Sequence, residues 1–515
     1  MKSTPLSGLP EGAAEKVGER IAADIAVDLV EPWWFEISLE VILYCARNVL
    51  LINYTRFFLT GKVEMKVCKF GGSSLADARQ LTKVIDIVLA DPQRRIVVVS
   101  APGKRNGSDT KVTDLLIGLA EAALANENTD AKFAAVLDRY ASIAKDLSLG
   151  DEIVREIEED LKARLASSKE DPGVFMDTLK AAGEDNSAKL AAVAFAARGV
   201  KARYVSPRET GMMLEGESGN AQLVEESYRK LSRAFSDFEG IAIYPGFFGY
   251  RKDGTVATFP RGGSDITGSI LAAAVRADVY ENFTDVDNVY PVDPRIVPEV
   301  KEGIDTMTYR EMRELAYAGF GVFNDEAIRP AVMARVPINV RNTNRPSEPG
   351  TMIVQSRRVI PGTVTGIAAA DGFCNIIIDK YCMNRLVGFT HKLLDILQEE
   401  GVAYEHIPSG IDSISVVIRA DRFSKAVENR VVARIKRELN PDYVTIERDL
   451  TMLMVVGEGM CYTPGMLAKA CLALASSGIS MSMVNQGASE FSFMISIKSA
   501  DRERAVRALY KAYFG

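Results

Sequence analysis

The sequence predicts an α/β protein in two parts: a mostly parallel sheet sandwiched by helices over residues 65–358, then two consecutive βαββαβ modules over 359–440 and 441–515. Three observations carry this expectation. Strand, loop and helix patterns alternate from Met65 onward, as they must where each parallel connection has to cross over the sheet. Two strands run into paired glycines that open a helix, in KVCKFGGSSLAD (66–77) and TVATFPRGGSD (255–265). The C-terminal part also repeats itself: Gly388, Gly401, Gly410 and Ser415 recur in one constant register as Gly465, Gly478, Gly487 and Ser492.

Bulk properties narrow the class. The chain has 515 residues, 47% hydrophobic and 25% charged, enough for two to four domains. A net charge of -7 with no Lys/Arg cluster argues against a nucleic-acid partner. Six scattered cysteines and two histidines suggest neither a metal site nor a disulfide framework, and a reducing cytoplasm is the expected compartment.

Residues 1–64 differ from the rest and are read as an N-terminal extension of unknown role. EPWWFEISLEVILYCARNVLLINYTRFFL brings Trp33 and Trp34 into one apolar stretch, but Glu36, Glu40, Arg47 and Arg56 interrupt it. It makes a poor membrane span and a poor signal peptide. The expectation is an amphipathic appendage on the body or on a partner subunit, with translation from Met65 as the alternative.

From Met65 the elements follow in order. IVVVSA (96–101) is a buried parallel strand, followed by the loop PGKRNGSDTKVTD and the helix LLIGLAEAALA. The charged helical stretch 126–187 is expected to form a lid or bundle over one end of the sheet. A helix over 188–198, strands at 202–206 and 241–249, and the strand TVATF (255–259) lead into the second glycine pair and the helix ITGSILAAAVRA. DVYENFTDVDNVY (278–290) is expected to close the sheet. Each C-terminal copy then reads as a glycine, an amphipathic helix, a second glycine and two strands around a small polar turn. The expectation is a half-exposed four-stranded sheet, completed by pairing with another copy.

The chemistry concentrates at the strand ends. Gly71 and Gly72 let an anion approach the backbone, the helix N-terminus points at it, and Lys69 adds a full charge. Arg261 suits a carboxylate or phosphate, while Ser264 and Asp265 are either ligand contacts or helix caps. Thr284, Asp285, Tyr290 and Arg295 are spaced for a nucleotide base, ribose and phosphate. Glu184 either meets an ammonium group or supplies charge to the first turn of a helix. No histidine precedes residue 391 and no cysteine lies in these stretches. What remains fits phosphoryl transfer, which proceeds by positioning and electrostatics from Lys, Arg, backbone N–H groups and Mg²⁺.

KFGGSS (69–74), SAPG (100–103), KVTDLL (111–116), GED (183–185), PRGGSD (260–265), FTDVDNVY (283–290) and the tandem repeat with NQGASEFS (485–492) together resemble the aspartate kinase family over Met65–Gly515. The resemblance implies the amino acid kinase fold followed by two ferredoxin-like ACT domains. It implies transfer of the γ-phosphoryl group of ATP, with Mg²⁺, to the β-carboxylate of L-aspartate, giving 4-phospho-L-aspartate, the first step of lysine, threonine and methionine biosynthesis. Lys69 and Asp265 would be catalytic, Gly71, Gly72 and Ser73 would cradle the phosphoryl group, and Thr284, Asp285, Tyr290 and Arg295 would hold ATP. Thr113, Glu184, Arg261 and Ser264 would hold aspartate. Met383, Gly388, Ser409, Asp412, Asn485, Gln486 and Ser489 would bind the effector, lysine or threonine, in a homodimer or higher oligomer assembled through the ACT domains. One departure is Gly321, in GFGVFND (319–325), where the family often has a nucleotide-contacting lysine. The alternatives are a non-catalytic amino-acid sensor with a degenerate kinase domain, or a related kinase such as glutamate 5-kinase, acetylglutamate kinase or uridylate kinase.

Overall fold

The computed structural model describes residues 64–515 apart from 321–324 and 488–489. The expectations for the extension before Glu64, for Gly321 and for Ser489 therefore lie outside the described residues. Met65–Gly515 form one compact unit.

Its centre is an eight-stranded sheet in the order Thr306–Thr308, Thr351–Val354, Ile338–Asn342, Val279–Thr284, Lys66–Phe70, Arg94–Val99, Ile241–Pro245 and Ala202–Tyr204. Neighbours are parallel except Ile338–Asn342 against Thr351–Val354. Continuous Val/Ile runs such as RRIVVV suit strands covered on both faces, and Ile96 to Val99 are buried. The helices Ala78–Leu89, Val112–Leu124, Asp130–Asp146, Asp151–Leu165 and Pro172–Ala197 contribute to the core on one face of the sheet. Helices Glu226–Ser236, Gly263–Val275, Tyr309–Tyr317 and Asp325–Met333 contribute to the core on the other.

The structure corrects four sequence expectations here. The charged stretch 126–187 is a layer against a sheet face, since Tyr140, Ile157 and Leu179 enter the main core. Val279–Thr284 is a central strand and does not close the sheet; short strands after it, three to five residues each, carry too little period to read. Val256–Thr258 pairs with Phe248–Tyr250 in a separate antiparallel hairpin. The helix expected to begin near residue 186 begins at Pro172, capped by the Asp171 side chain, so GED lies in mid-helix.

The C-terminal region also differs from two separate four-stranded sheets. It is one five-stranded sheet in the order Ser413–Arg419, Gly366–Asp379, Tyr443–Val456, Ser492–Lys498 and Met483–Gln486. Two strands of 14 residues run through both modules. Ile376 and Ile378 enter the core of the first module, whereas Ile367, Leu453 and Val455 enter that of the second. The change-over is marked on each long strand by a left-handed residue, Gly372 at φ 85° and Asp449 at φ 58°. The repeat itself is present: Gly388 and Gly465 precede equivalent helices at φ 83° and 87°, and Gly401 and Gly478 follow them at φ 68° and 67°.

Candidate active site

Strand Lys66–Phe70 ends between Arg94–Val99 and Val279–Thr284, and the three carboxyl ends converge where Phe70 pairs with Val99 and Phe283. Lys69 is buried there, its Nζ 2.6 Å from Asp265 Oδ1. Asn282 Nδ2 donates to the same oxygen at 2.6 Å. The carboxylate is thus fixed from two sides and holds the ammonium at the head of the glycine turn. Asn282 was missed in the sequence, although a polar pair inside the apolar strand VYENFT is a readable signal.

The glycines do not open the long helix directly. Gly72–Leu75 make a single tight turn, and the helix begins at Ala78, capped where Asp77 Oδ1 accepts from Gln80 N at 2.8 Å. Close approach explains Gly72: a Cβ there would lie 2.9 Å from the Ala101 carbonyl oxygen. Gly103 N donates to Gly72 O at 2.8 Å, so the loop after IVVVSA lies on the glycine turn. Gly71 has extended backbone and only Lys69 Nζ and Phe283 O within 4 Å of a notional Cβ, at 3.7 and 3.8 Å.

At the second pair, Gly262 itself caps helix Gly263–Val275, at φ 86° and without a side-chain cap. Neither Ser264 nor Asp265 is a cap. Ser264 is buried against Gly246, whose Cβ would meet its Oγ at 2.7 Å, and Arg261 stands exposed just before the turn. Phe247, between Gly246 and the helix, is left-handed at φ 76°.

Glu184 is 5% exposed in the middle of Pro172–Ala197, which removes the first-turn reading. Its Oε2 has no hydrogen-bond partner. Burial pushes its carboxyl up to about 8, against hydrogen bonds from the Ala101 and Glu184 backbone and the charge of Lys180. An unpaired buried carboxylate is costly unless a cation arrives. Ala101 ties this group to the glycine turn, because its N–H faces Glu184 and its C=O abuts Gly72. Thr113 is the second residue of helix Val112–Leu124, reached directly from the same loop.

Thr284, Asp285, Tyr290 and Arg295 line one cavity of about 440 Å³. Thr284 Oγ1 is 3.2 Å from Asp285 Oδ1, and Arg295 is held by Asp293 at 2.8 Å. Gly319 and Phe320, the neighbours of Gly321, also line it. So do Ile367, Ala368, Ala369, Arg502 and Val506 of the C-terminal sheet and helix, which no motif announced.

The amino acid kinase family matches residues 64–342, and an ACT domain matches 453–513. Aspartokinase 3 of Bacillus subtilis is 51% identical over 450 residues, covering 87% of this chain and 99% of that protein. The chain belongs to the aspartokinases of the amino acid kinase family. The aspartate kinase of Clostridium acetobutylicum superposes with a TM-score of 0.75 at 34% identity, over 88% of this chain and 100% of the other. Aspartokinase III of E. coli, solved with aspartate and ADP, shares the fold at a TM-score of 0.69 and 24% identity, over 88% and 100% of the two chains. The enzyme is accordingly an ATP-dependent aspartate kinase with ACT regulatory domains.

The residues expected to bind the aspartokinase effector fall in two places. Met383, Gly388, Ser409 and Asp412 belong to the first module. Asp412 Oδ1 accepts from Cys382 N at 2.7 Å, and Asn384 N donates to Ile411 O at 3.0 Å, so Met383 and the 408–412 turn share one end of the module. Met383 is buried in its core, and Gly388 caps the following helix. Asn485 and Gln486 are at the end of a strand, where a turn was expected. Asn485 Nδ2 lies 3.4 Å from His406 Nδ1, which brings the second module's edge to the first. Among the described residues no helix is long and apolar enough to cross a membrane.

Proposed function

We propose that aspartate binds with its ammonium on Glu184 and its α-carboxylate on Arg261, with Thr113 and Ser264 completing the contacts. Gly71, Gly72 and Ser73 cradle the transferring phosphoryl group, and Lys69, aligned by Asp265, neutralises the charge that develops as the β-carboxylate attacks. ATP lies in the cavity of Thr284, Asp285, Tyr290 and Arg295, which leads back to Lys69 along strand Val279–Thr284. The reading rests on one observation above the others: a buried carboxyl, Glu184, one of whose oxygens has no hydrogen-bond partner, beside Ala101 at the glycine turn.

Mg²⁺ would arrive on the nucleotide phosphates and supply charge neutralisation there. Among the described residues no three His, Cys, Asp or Glu side chains form a metal cage. Such an ion is carried by phosphates with one or two carboxylates, for which Asp265 and Asp285 are the candidates this chain would offer. Lysine or threonine would bind the ACT repeat, at the 408–412 turn and around Asn485, and exposed sheet edges would pair between copies in the cytoplasm.

An ATP-coupled assay with aspartate, glutamate and N-acetylglutamate as acceptors, with and without lysine and threonine, tests this. Turnover with aspartate alone, inhibited by one of the two amino acids, is the expected result. Turnover with glutamate in place of aspartate would overturn the substrate assignment.

A further inference from the structure

We infer that Arg139 and Asp109 form a latch that positions the reacting groups without touching either substrate. Arg139 is 4% exposed on helix Asp130–Asp146. Its Nη1 donates to the Gly103 carbonyl at 2.7 Å, and its Nη2 contacts both Asp109 oxygens at 2.7 Å and the Thr110 carbonyl at 3.0 Å. Asp109 also accepts from Arg105 N and Nε, each at 2.9 Å. The loop so gripped is otherwise open, since Lys104 to Ser108 are all exposed.

What the latch holds matters more than the latch. Gly103 N reaches back to Gly72 O at 2.8 Å, and a Cβ on Gly103 would sit 2.6 Å from the Gly72 carbonyl carbon. Pro102 O accepts from Val112 N at 3.1 Å at the start of the helix that carries Thr113. Ala101 N–H faces Glu184. The residue after Arg139, Tyr140, is fully buried and donates to Gly183 O at 2.8 Å, next to Glu184. Two consecutive residues of one helix therefore brace both halves of the site, Arg139 on the phosphoryl side and Tyr140 on the ammonium side. With Nη1 on the Gly103 carbonyl and Nη2 on Asp109, the planar guanidinium fixes the orientation of the loop as well as its distance. Displacements of about 1 Å at such a site cost on the order of 100-fold in rate.

The inference rests on the roles proposed for Gly72 and Glu184, and the test separates the two. Arg139→Met, Arg139→Lys, Asp109→Asn and Glu184→Gln are made in the full chain. The kcat, the KM for each substrate and the melting temperature are then measured. Arg139→Met should raise the aspartate KM by about tenfold or more and lower kcat, while the ATP KM stays within about twofold, because the base and ribose bind in the remote cavity. Arg139→Lys should recover part of the loss. Asp109→Asn, a near-isosteric change on an exposed loop, should show the same split more weakly, and decides the matter if Arg139→Met does not fold. An unchanged aspartate KM in both Arg139→Met and Asp109→Asn, or both substrates weakening together, overturns the latch. If Glu184→Gln also leaves aspartate KM unchanged, the reading of the site fails as well; if it raises that KM, only the latch fails.

Discussion

With Glu184 as the proposed seat of the substrate ammonium, aspartate binding is expected to release a proton, and the size of the effect follows from the burial of Glu184. A carboxyl at about 8 is ionised in about one molecule in ten at pH 7, yet only the carboxylate can pair with the substrate ammonium. Apparent affinity is the intrinsic affinity scaled by that fraction, so about tenfold, or ~1.4 kcal/mol, is lost at pH 7. Aspartate KM should therefore fall about fivefold between pH 7 and pH 8 and then level off, and calorimetry in buffers of different ionisation enthalpy should detect nearly one proton released per aspartate bound at pH 7. Glu184→Gln should bind aspartate weakly with no such slope. Stability carries the opposite sign. The free enzyme holds the proton to higher pH than the unfolded chain does, so this group's contribution declines as pH rises from about 4.5 to about 8 and is constant above. Saturating aspartate should remove that decline. An aspartate KM that is flat across pH 7 to 8 in the native enzyme would refute the reasoning, whatever the variant does.

Four further outcomes are expected. Lys69→Ala should lower kcat by roughly 100- to 1,000-fold with little change in either KM, because its charge matters most in the transition state; an equal rise in KM at constant kcat would make it a ground-state contact. Gly71→Ala should keep the melting temperature, since its backbone is extended and its nearest neighbours would be 3.7 Å away, yet impair turnover by occupying the phosphoryl space. Gly103→Ala should lower stability by about 1–3 kcal/mol through the clash with Gly72, read by urea denaturation. Bulkier residues at Ser409 and Asn485 should relieve inhibition by lysine or threonine at nearly constant uninhibited kcat; inhibition that persists in both places the effector elsewhere.

Features that depend on local chemistry are legible in the amino-acid sequence. Lys69 at its strand end, Gly262 at a helix start and the repeated helix-flanking glycines lie where short-range rules put them, because a turn or cap is specified by the few residues within it. Features that depend on distant partners are not. Glu184 reads as first-turn charge only if the helix starts near residue 186; the actual start depends on Asp171 and Pro172, whose capping role is visible locally but competes with a charged stretch of weak period. The sharing of two strands between the ACT modules is invisible at that level, because DLTMLMVV and GIAAADGFCNIIID read as ordinary strands and only pairing reveals that each serves two cores. Arg139 looks like one more charge on an amphipathic helix until Gly103 and Asp109 are seen against it.

The same non-local assembly explains how a regulatory repeat can act on phosphoryl transfer. An effector inhibits only through a difference in affinity between two arrangements, so the two sites must share an element that differs between them. The proposed nucleotide cavity would supply that element, since Ile367 to Ala369, Arg502 and Val506 of the ACT region form part of its lining. Ile367 N donates to Pro291 O at 2.7 Å, between Tyr290 and Arg295, which fastens a strand of the ACT region to the loop that lines the cavity. Glu311, fully buried at the start of helix Tyr309–Tyr317, accepts from Arg357 Nη2, Thr365 Oγ1 and Glu458 N at 2.8, 2.6 and 3.0 Å, pinning a kinase helix to the second module. That helix leads into Gly319 and Phe320, again in the cavity lining. A shift of the C-terminal sheet would therefore reshape the proposed ATP site from two sides, while Glu184, Lys69 and Asp265 stand on kinase elements outside that lining. Coupling through this lining is expected first in nucleotide affinity, and by reciprocity bound nucleotide would oppose the effector by the same factor.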